Sequence, residues 1–388
     1  MTAVFAILMD SYRSLKAQRL FKTVLVLSIL VIVGFASFGF NAKGMTLFFG
    51  AVTIDNEFIH ADSPHAKTLY LGIFSAFIVN LWLAWVATIL ALISTSSIYP
   101  AFLSEGAVEL VMSKPVRRTT LFIAKYIGGL LFVVLQVSVF CLGAFLVAGW
   151  RIDEWTVSIF LAIPLVTIFF SYLFCVNVLL GVVTRSTLVA LLFTLLFWFM
   201  TFGVRTADDI LHTVWFQGEA MMEHWEQNVE SETQDLANYK RELAALEDEG
   251  SESGLQYYRS QIKRTESSLV SLEDELADRK KLLSQLKPWV TTINVLRWPL
   301  PETSRTIGLL QRWIDQGRDV TMNDIMTGKI FEDEEYEEED DFNRDRNAQE
   351  RMMQREEGIS AGGIIGWSLL FELVVLILAW WVFVRRDY

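Results

Sequence analysis

The chain has 388 residues, 53% of them hydrophobic and 20% charged, and a formal net charge of −12. A positive mean hydropathy beside so many charges requires segregated apolar and charged segments, the pattern of an integral membrane protein with a sizeable polar domain. The acidic balance argues against a nucleic-acid partner, which needs a basic face, and Cys141 and Cys175, both in apolar runs, are too few for a disulfide framework or a thiolate metal centre.

Before Phe21 the chain is amphipathic. Phe5, Leu8, Tyr12 and Leu15 fall on one helical face, and Arg13, Lys16, Arg19 and Lys22 add positive charge. This predicts a helix lying in the membrane interface. A cleaved signal peptide is the rival, but the polar lead-in is long and no A-x-A site follows the apolar run.

Six apolar runs reach the roughly 20 residues that a bilayer span needs. They are 21–40, 69–95, 121–148, 156–183, 187–204 and 359–384. Arg13 to Lys22, Lys114 to Lys125, Arg185, Arg385 and Arg386 fall on one side of them, which the positive-inside rule makes the cytoplasm, with both termini there. The opposite loops carry Asp55, Glu57, Asp62, Asp153 and Glu154. Pro164 is expected to kink the fourth span.

Between the second and third runs lies SEGAVELVMSKPVRRTTLFIAK, from Ser104. Glu105, Glu109, Lys114, Arg117, Arg118 and Lys125 would each cost roughly 3 kcal/mol in hydrocarbon, so the stretch belongs at a membrane surface. Pro115 stops a first short helix, and Thr119 and Thr120 are placed to cap the helix that re-enters the membrane.

The Glu105-Gly106 and Glu109-Leu110 pairs, with Pro115, Arg118 and Lys125, resemble the cytoplasmic segment of ABC-2 type transporter permeases. The nearest resemblance is to permeases linked to copper-enzyme maturation. The sequence departs from the pattern at Ala107, where Thr is common, and at Phe102, where an upstream acidic residue is common. The resemblance implies a coupling helix at about 101–114 that docks on a separate ABC ATPase. It gives Glu105, Gly106, Glu109, Leu110, Pro115, Arg117, Arg118 and Lys125 as the ATPase-coupling residues. It also implies a permease homodimer in a bacterial or archaeal cytoplasmic membrane, with ATP and Mg on the ATPase and no cofactor on this chain.

The fifth and sixth runs are separated by a long polar insert, 206–358, expected outside the cytoplasm. Trp225, Val229, Leu236, Tyr239, Leu243 and Leu246 alternate at three and four, with a gap at Glu232. After Gly250-Ser251-Glu252-Ser253-Gly254 a second series runs Leu255, Tyr258, Ile262, Leu269, Leu272, Leu276, Leu283, Leu286. Two such series joined by a Gly/Ser turn predict an antiparallel coiled-coil hairpin at about 217–287, each arm reaching roughly 45 Å. Two readings stay open: an antenna contacting an extracytoplasmic protein, and a spacer or self-association element. Pro288 is expected to end the hairpin.

In the interfacial segment 288–318, Trp289, Trp298 and Trp313 suit the outer membrane surface. Pro299, Pro301 and Glu302 resemble the entry to the short outer-leaflet helices of ABC-2 permeases; a cap on the hairpin base is the alternative. The acidic run 331–342, FEDEEYEEEDDF, lacks the spaced ligands and Gly turn of a calcium loop and reads as a solvated linker.

Within the spans Glu372 stands out, because a carboxyl at mid-membrane normally faces a bundle interior or cavity. It is a candidate substrate or proton site, or a bond to a neighbouring helix. Asn80, Gln136 and Asn177 are candidate interhelical hydrogen-bonders. The chain has no G-x-x-x-x-G-K-[ST], H-E-x-x-H or G-x-S-x-G, so neither ATP binding nor catalysis is expected on it. His60 and His65, in the first outer loop, suggest no metal site.

The expected fold is all-α: a polytopic six-span bundle carrying an extracytoplasmic hairpin. Its parts would be 1–205 with spans one to five, the insert 206–358, and 359–388 with span six. The expected function is the permease subunit of an ATP-driven transporter, exporting or transmitting motion to an outer partner. The alternative is a membrane-anchored scaffold that does not transport.

Overall fold

The computed structural model describes residues 19–55, 69–72, 74–103, 117–153, 155–249, 252–315, 351 and 358–385. The expected N-terminal interfacial helix, Asp62, Glu57, Glu154, His60, His65 and the acidic run 331–342 lie outside the described residues. The chain divides into two compact units: Met1–Gly203 with Pro299–Glu334 and Ser360–Tyr388, and Val204–Trp298 with Glu335–Ile359.

The first unit begins with α1, Arg19–Ser37. A three-stranded antiparallel sheet follows, β1 (Gly39–Asn41), β2 (Gly44–Leu47) and β3 (Val52–Asp55), in the order β1-β2-β3. Gly39 faces Thr46, and Leu47 faces Val52. The structure is otherwise almost wholly helical, consistent with the all-α expectation, and this small sheet is an addition to it. The Asn41 side chain accepts from the amides of Lys43 and Gly44, closing the β1–β2 turn with a local bond that hydropathy does not register.

The next apolar stretch is broken into α2, Phe74–Ala87 with π-helical turns, α3, Thr88–Thr95, and α4, Ile98–Phe102. α5 is Arg118–Ile152. A 3-10 turn, Val157–Leu161, leads into α6, Ala162–Thr184. Pro164 lies in the first turn of α6, directly after the 3-10 turn, where the helix changes type.

α6 is the hub of this unit, packed against α2, α4, α5, the amphipathic α9 (Thr303–Asp315) and the final α10 (Ala361–Arg385). It buries residues all round, including Phe169, Phe170, Tyr172, Leu173 and Phe174, as expected of a helix apolar on every face.

Among the described residues five helices qualify by length and composition to cross a membrane: Leu81–Phe102, Arg118–Arg151, Val157–Thr184, Thr187–Ala245 and Ala361–Arg385. Lys22–Ser37 is apolar but shorter. The chain is a multi-pass membrane protein.

α7 is one continuous helix, Thr187–Glu249, that carries the fifth apolar run directly into the insert. α8, Glu252–Arg297, returns in the second unit. Lys280 pairs with Glu226 at 2.8 Å and Lys240 with Glu266 at 3.0 Å, so the partners step in opposite directions and the arms run antiparallel. Thr265, buried, fills the gap between Ile262 and Leu269 in the second heptad series, and Glu232 fills the gap in the first series, accepting from Ser268 at 3.5 Å. Pro288 sits inside α8 and does not end it. The carbonyl its missing amide would have bonded belongs to exposed Ser284, where water can satisfy it, so the ladder resumes beyond.

Candidate functional site

The described ends of the elbow, Leu103 and Arg117, flank 104–116. Glu105, Gly106, Glu109, Leu110 and Pro115 are in that segment and lie outside the described residues. Its two bases are clamped together. The Tyr99 hydroxyl on α4 donates to the Phe122 carbonyl on α5 at 2.8 Å, and Lys125 lies over the Phe102 ring at 6.0 Å. Phe383, near the end of α10, packs on both Phe102 and Phe122, at 6.1 and 5.5 Å between ring centres.

Two polar bonds join α10 to the start of α5. Arg118 donates to the Val384 carbonyl at 3.1 Å, and the Trp380 indole donates to Thr119 Oγ1 at 3.2 Å. The last carbonyls of a helix have no partner within it and carry partial negative charge, so a guanidinium there is favoured. Arg117, exposed, is the N-cap residue, with extended backbone and no side-chain cap bond, so Thr119 serves α10 instead of capping α5.

The same three helices meet again deeper in the unit. Glu372 of α10 is buried. Tyr126 Oη of α5 donates to its Oε1 at 2.7 Å, and Ser171 Oγ of α6 is 2.6 Å from its Oε2. Each carboxyl oxygen thus holds a different helix. Burial without such partners would cost several kcal/mol, roughly, in hydrocarbon. Tyr126 and Ser171 were not legible as partners; only Glu372 stood out in the sequence.

Of the other intramembrane candidates, Asn177 Nδ2 of α6 donates to Thr194 Oγ1 of α7 at 3.3 Å. Gln136 is buried, and its Oε1 has no hydrogen-bond partner among the described residues. The Asn80 side chain lies outside the described residues. Among the described residues no group of three or more His, Cys, Asp or Glu side chains could hold a metal ion.

At the other end of α10, Ser368 Oγ accepts from the Glu302 amide at 2.9 Å, where the chain enters α9. Ile307, Leu309 and Leu310 bury one face of α9 against the unit. Polar contacts thus lie along α10 at three levels: Val384 and Trp380, Glu372, and Ser368.

The second unit holds a cluster the sequence did not disclose. Asp208 of α7 is fully buried. Arg297 of α8 donates to its Oδ2 at 2.7 Å, and His212 Nδ1 is 3.1 Å from Oδ1. Arg205 lies 3.9 Å from the same carboxylate and 3.4 Å from Asp209. Arg297 and Asp208 fasten the bases of the two arms. The Trp289 and Trp298 side chains in this unit are largely exposed.

Residues 22–388 match the protein family described as ABC-2 family transporter protein. No curated protein and no solved structure matches the chain.

Proposed function

The chain belongs to the ABC-2 family of transporter proteins, and on that premise we propose that it is the permease that couples to a separate ATPase through residues 104–116. Permeases of this family are non-catalytic transmembrane subunits, with ATP hydrolysis on another chain. The observation that supports coupling here is the clamped base. Tyr99, Phe102, Phe122 and Phe383 join both ends of the segment to the end of α10. A push on the segment would therefore be delivered to α4, α5 and α10 together.

In this reading Lys22–Ser37 completes six spans, both termini are cytoplasmic, and 206–358 projects from the opposite side as a coiled-coil hairpin. Two copies pair around the transport path. Glu105 and Glu109 meet basic or polar groups of the ATPase, Gly106 and Leu110 fit its groove, and Pro115 with Arg117 sets the elbow. Arg118 and Lys125 hold the elbow to α10 and α4. ATP and Mg act on the ATPase. Motion then travels along α10, through Glu372 and Ser368, toward α9 and export.

Glu109→Lys tests the assignment. Membrane insertion should be unchanged while ATPase activity of the assembled transporter loses its dependence on the permease. Normal coupling in this variant would overturn the role given to the segment.

A further inference from the structure

The turn between β2 and β3 carries an unusual pair. Phe48 and Phe49 are consecutive non-glycine residues in the left-handed region, with φ of 50° and 59°. Backbone strain of this kind persists only where the surroundings hold it, and is concentrated at functional positions. Both rings are nevertheless exposed, at 69% and 54%. Phenylalanine has no polar atom to satisfy water at a surface, unlike tyrosine or tryptophan.

The sheet that carries them is firmly seated. Arg151, at the end of α5, donates to the Phe38 carbonyl at 3.2 Å and to Thr46 at 3.4 Å. Tyr70 packs on Phe35, Phe38 and Phe40 and donates to the Phe35 carbonyl. The chain leaves α1 at Ser37, yet the Phe48–Gly50 turn packs against α1. The hairpin must therefore fold back alongside the helix it came from.

α1 presents Val26, Ile29, Leu30 and Val33 as exposed apolar side chains, the surface a membrane-embedded helix gives to lipid. The turn packed against α1 adds exposed Phe48 and Phe49, and β3 adds exposed Val52 and Ile54. Trp150, at the end of α5 beside Arg151, is also exposed, as aromatic residues at a membrane boundary are.

We propose that the Phe48–Phe49 turn is a lipid anchor, its two rings inserted among the acyl chains of the leaflet at the Ser37 end of α1. β3 is an edge strand, and a strand from another chain is the competing occupant. Lipid fits better, because the apolar pair is at the turn and not along the strand edge, and the turn packs against α1, a helix with exposed apolar side chains.

Both described cysteines, Cys141 and Cys175, are buried, so a nitroxide thiol label on intact protein reports an introduced cysteine, with unsubstituted chain as the blank. Phe48→Cys, Phe49→Cys and Ile54→Cys are labelled in the full chain, in phosphatidylethanolamine–phosphatidylglycerol vesicles. Leu30→Cys on α1 is the lipid reference, and Ser260→Cys on the exposed face of α8 is the water reference. Power-saturation EPR then compares accessibility to oxygen, which partitions into the bilayer, with that to a water-soluble nickel chelate. The oxygen-to-chelate ratio at 48 and 49 should match the Leu30 label and exceed the Ser260 label several-fold. A ratio like that at Ser260 would overturn the proposal. Exclusion of both reagents would also overturn it, indicating that protein covers the turn. Should neither Phe variant yield folded protein, the Ile54→Cys ratio decides by the same criterion.

Discussion

Tyr126 and Glu372 meet at 2.7 Å, hydroxyl to carboxyl, between the helix that leaves the elbow and the last helix of the chain. Ser171 takes the other carboxyl oxygen at 2.6 Å. The one acid that stands out in the apolar runs is thus a three-helix fastening. It lies on the same helix that Arg118 grips at Val384.

Removing that fastening should be measurable. Glu372→Ala leaves the Tyr126 hydroxyl without this partner, and the purified chain in detergent should lose about 1–3 kcal/mol of unfolding free energy. Glu372→Gln can accept from Tyr126 and donate to Ser171, so its loss should stay near 1 kcal/mol or less. Equal stability of the Ala variant and the parent would show that the cluster does not join the helices.

The base of the hairpin should be more sensitive than its length. Asp208→Ala removes a fully buried carboxylate from beside Arg297 and Arg205, and breaking a buried pair from one side costs about 3–5 kcal/mol. Amide hydrogen exchange near 208–212 and 293–297 should accelerate. Lys240→Ala, at a pair roughly half exposed on both sides, should change exchange little, by about 1 kcal/mol at most.

Gly129 marks a close approach of α5 to α6. A Cβ there would lie 2.5 Å from the Phe174 ring, which is fully buried and stacked on Tyr126 and Phe170. The ring cannot turn away cheaply. Gly129→Ala should therefore destabilise the chain by about 1–3 kcal/mol, read as a lower thermal midpoint in detergent. An unchanged midpoint would contradict that packing.

What could be read from the sequence depended on whether the signal was local. Glu372 announces itself because a carboxylate in an apolar run is costly wherever it points, but its partners on α5 and α6 are far away in the chain. The heptads located the covered positions of α7 and α8, because periodicity survives without knowing the partner. Thr265 and Glu232 occupy such positions despite being polar, which composition alone conceals. Pro288 reads as a terminator, but its cost depends on the carbonyl left unbonded, and that of exposed Ser284 faces water. The sheet escaped because its strands are only three or four residues long and its turn is set by the Asn41 side chain.

Arg118 separates transmission from docking. Arg118→Ala removes the bond to Val384 yet leaves 104–116 intact. Binding of the ATPase should be retained while its activity in the assembled transporter loses, at roughly 1.5–3 kcal/mol for a charged hydrogen bond, around tenfold or more in coupled rate. Arg118→Lys, which can still donate to the carbonyl, should recover part of it.

The central claim is that this permease works with a separate ATPase held through 104–116. Affinity purification of the tagged full chain in mild detergent, followed by an ATP-hydrolysis assay, tests it most directly. An ABC ATPase should co-purify, and its activity should fall when Glu105 and Glu109 are replaced. A stable preparation that repeatedly brings no ATPase with it would contradict the account.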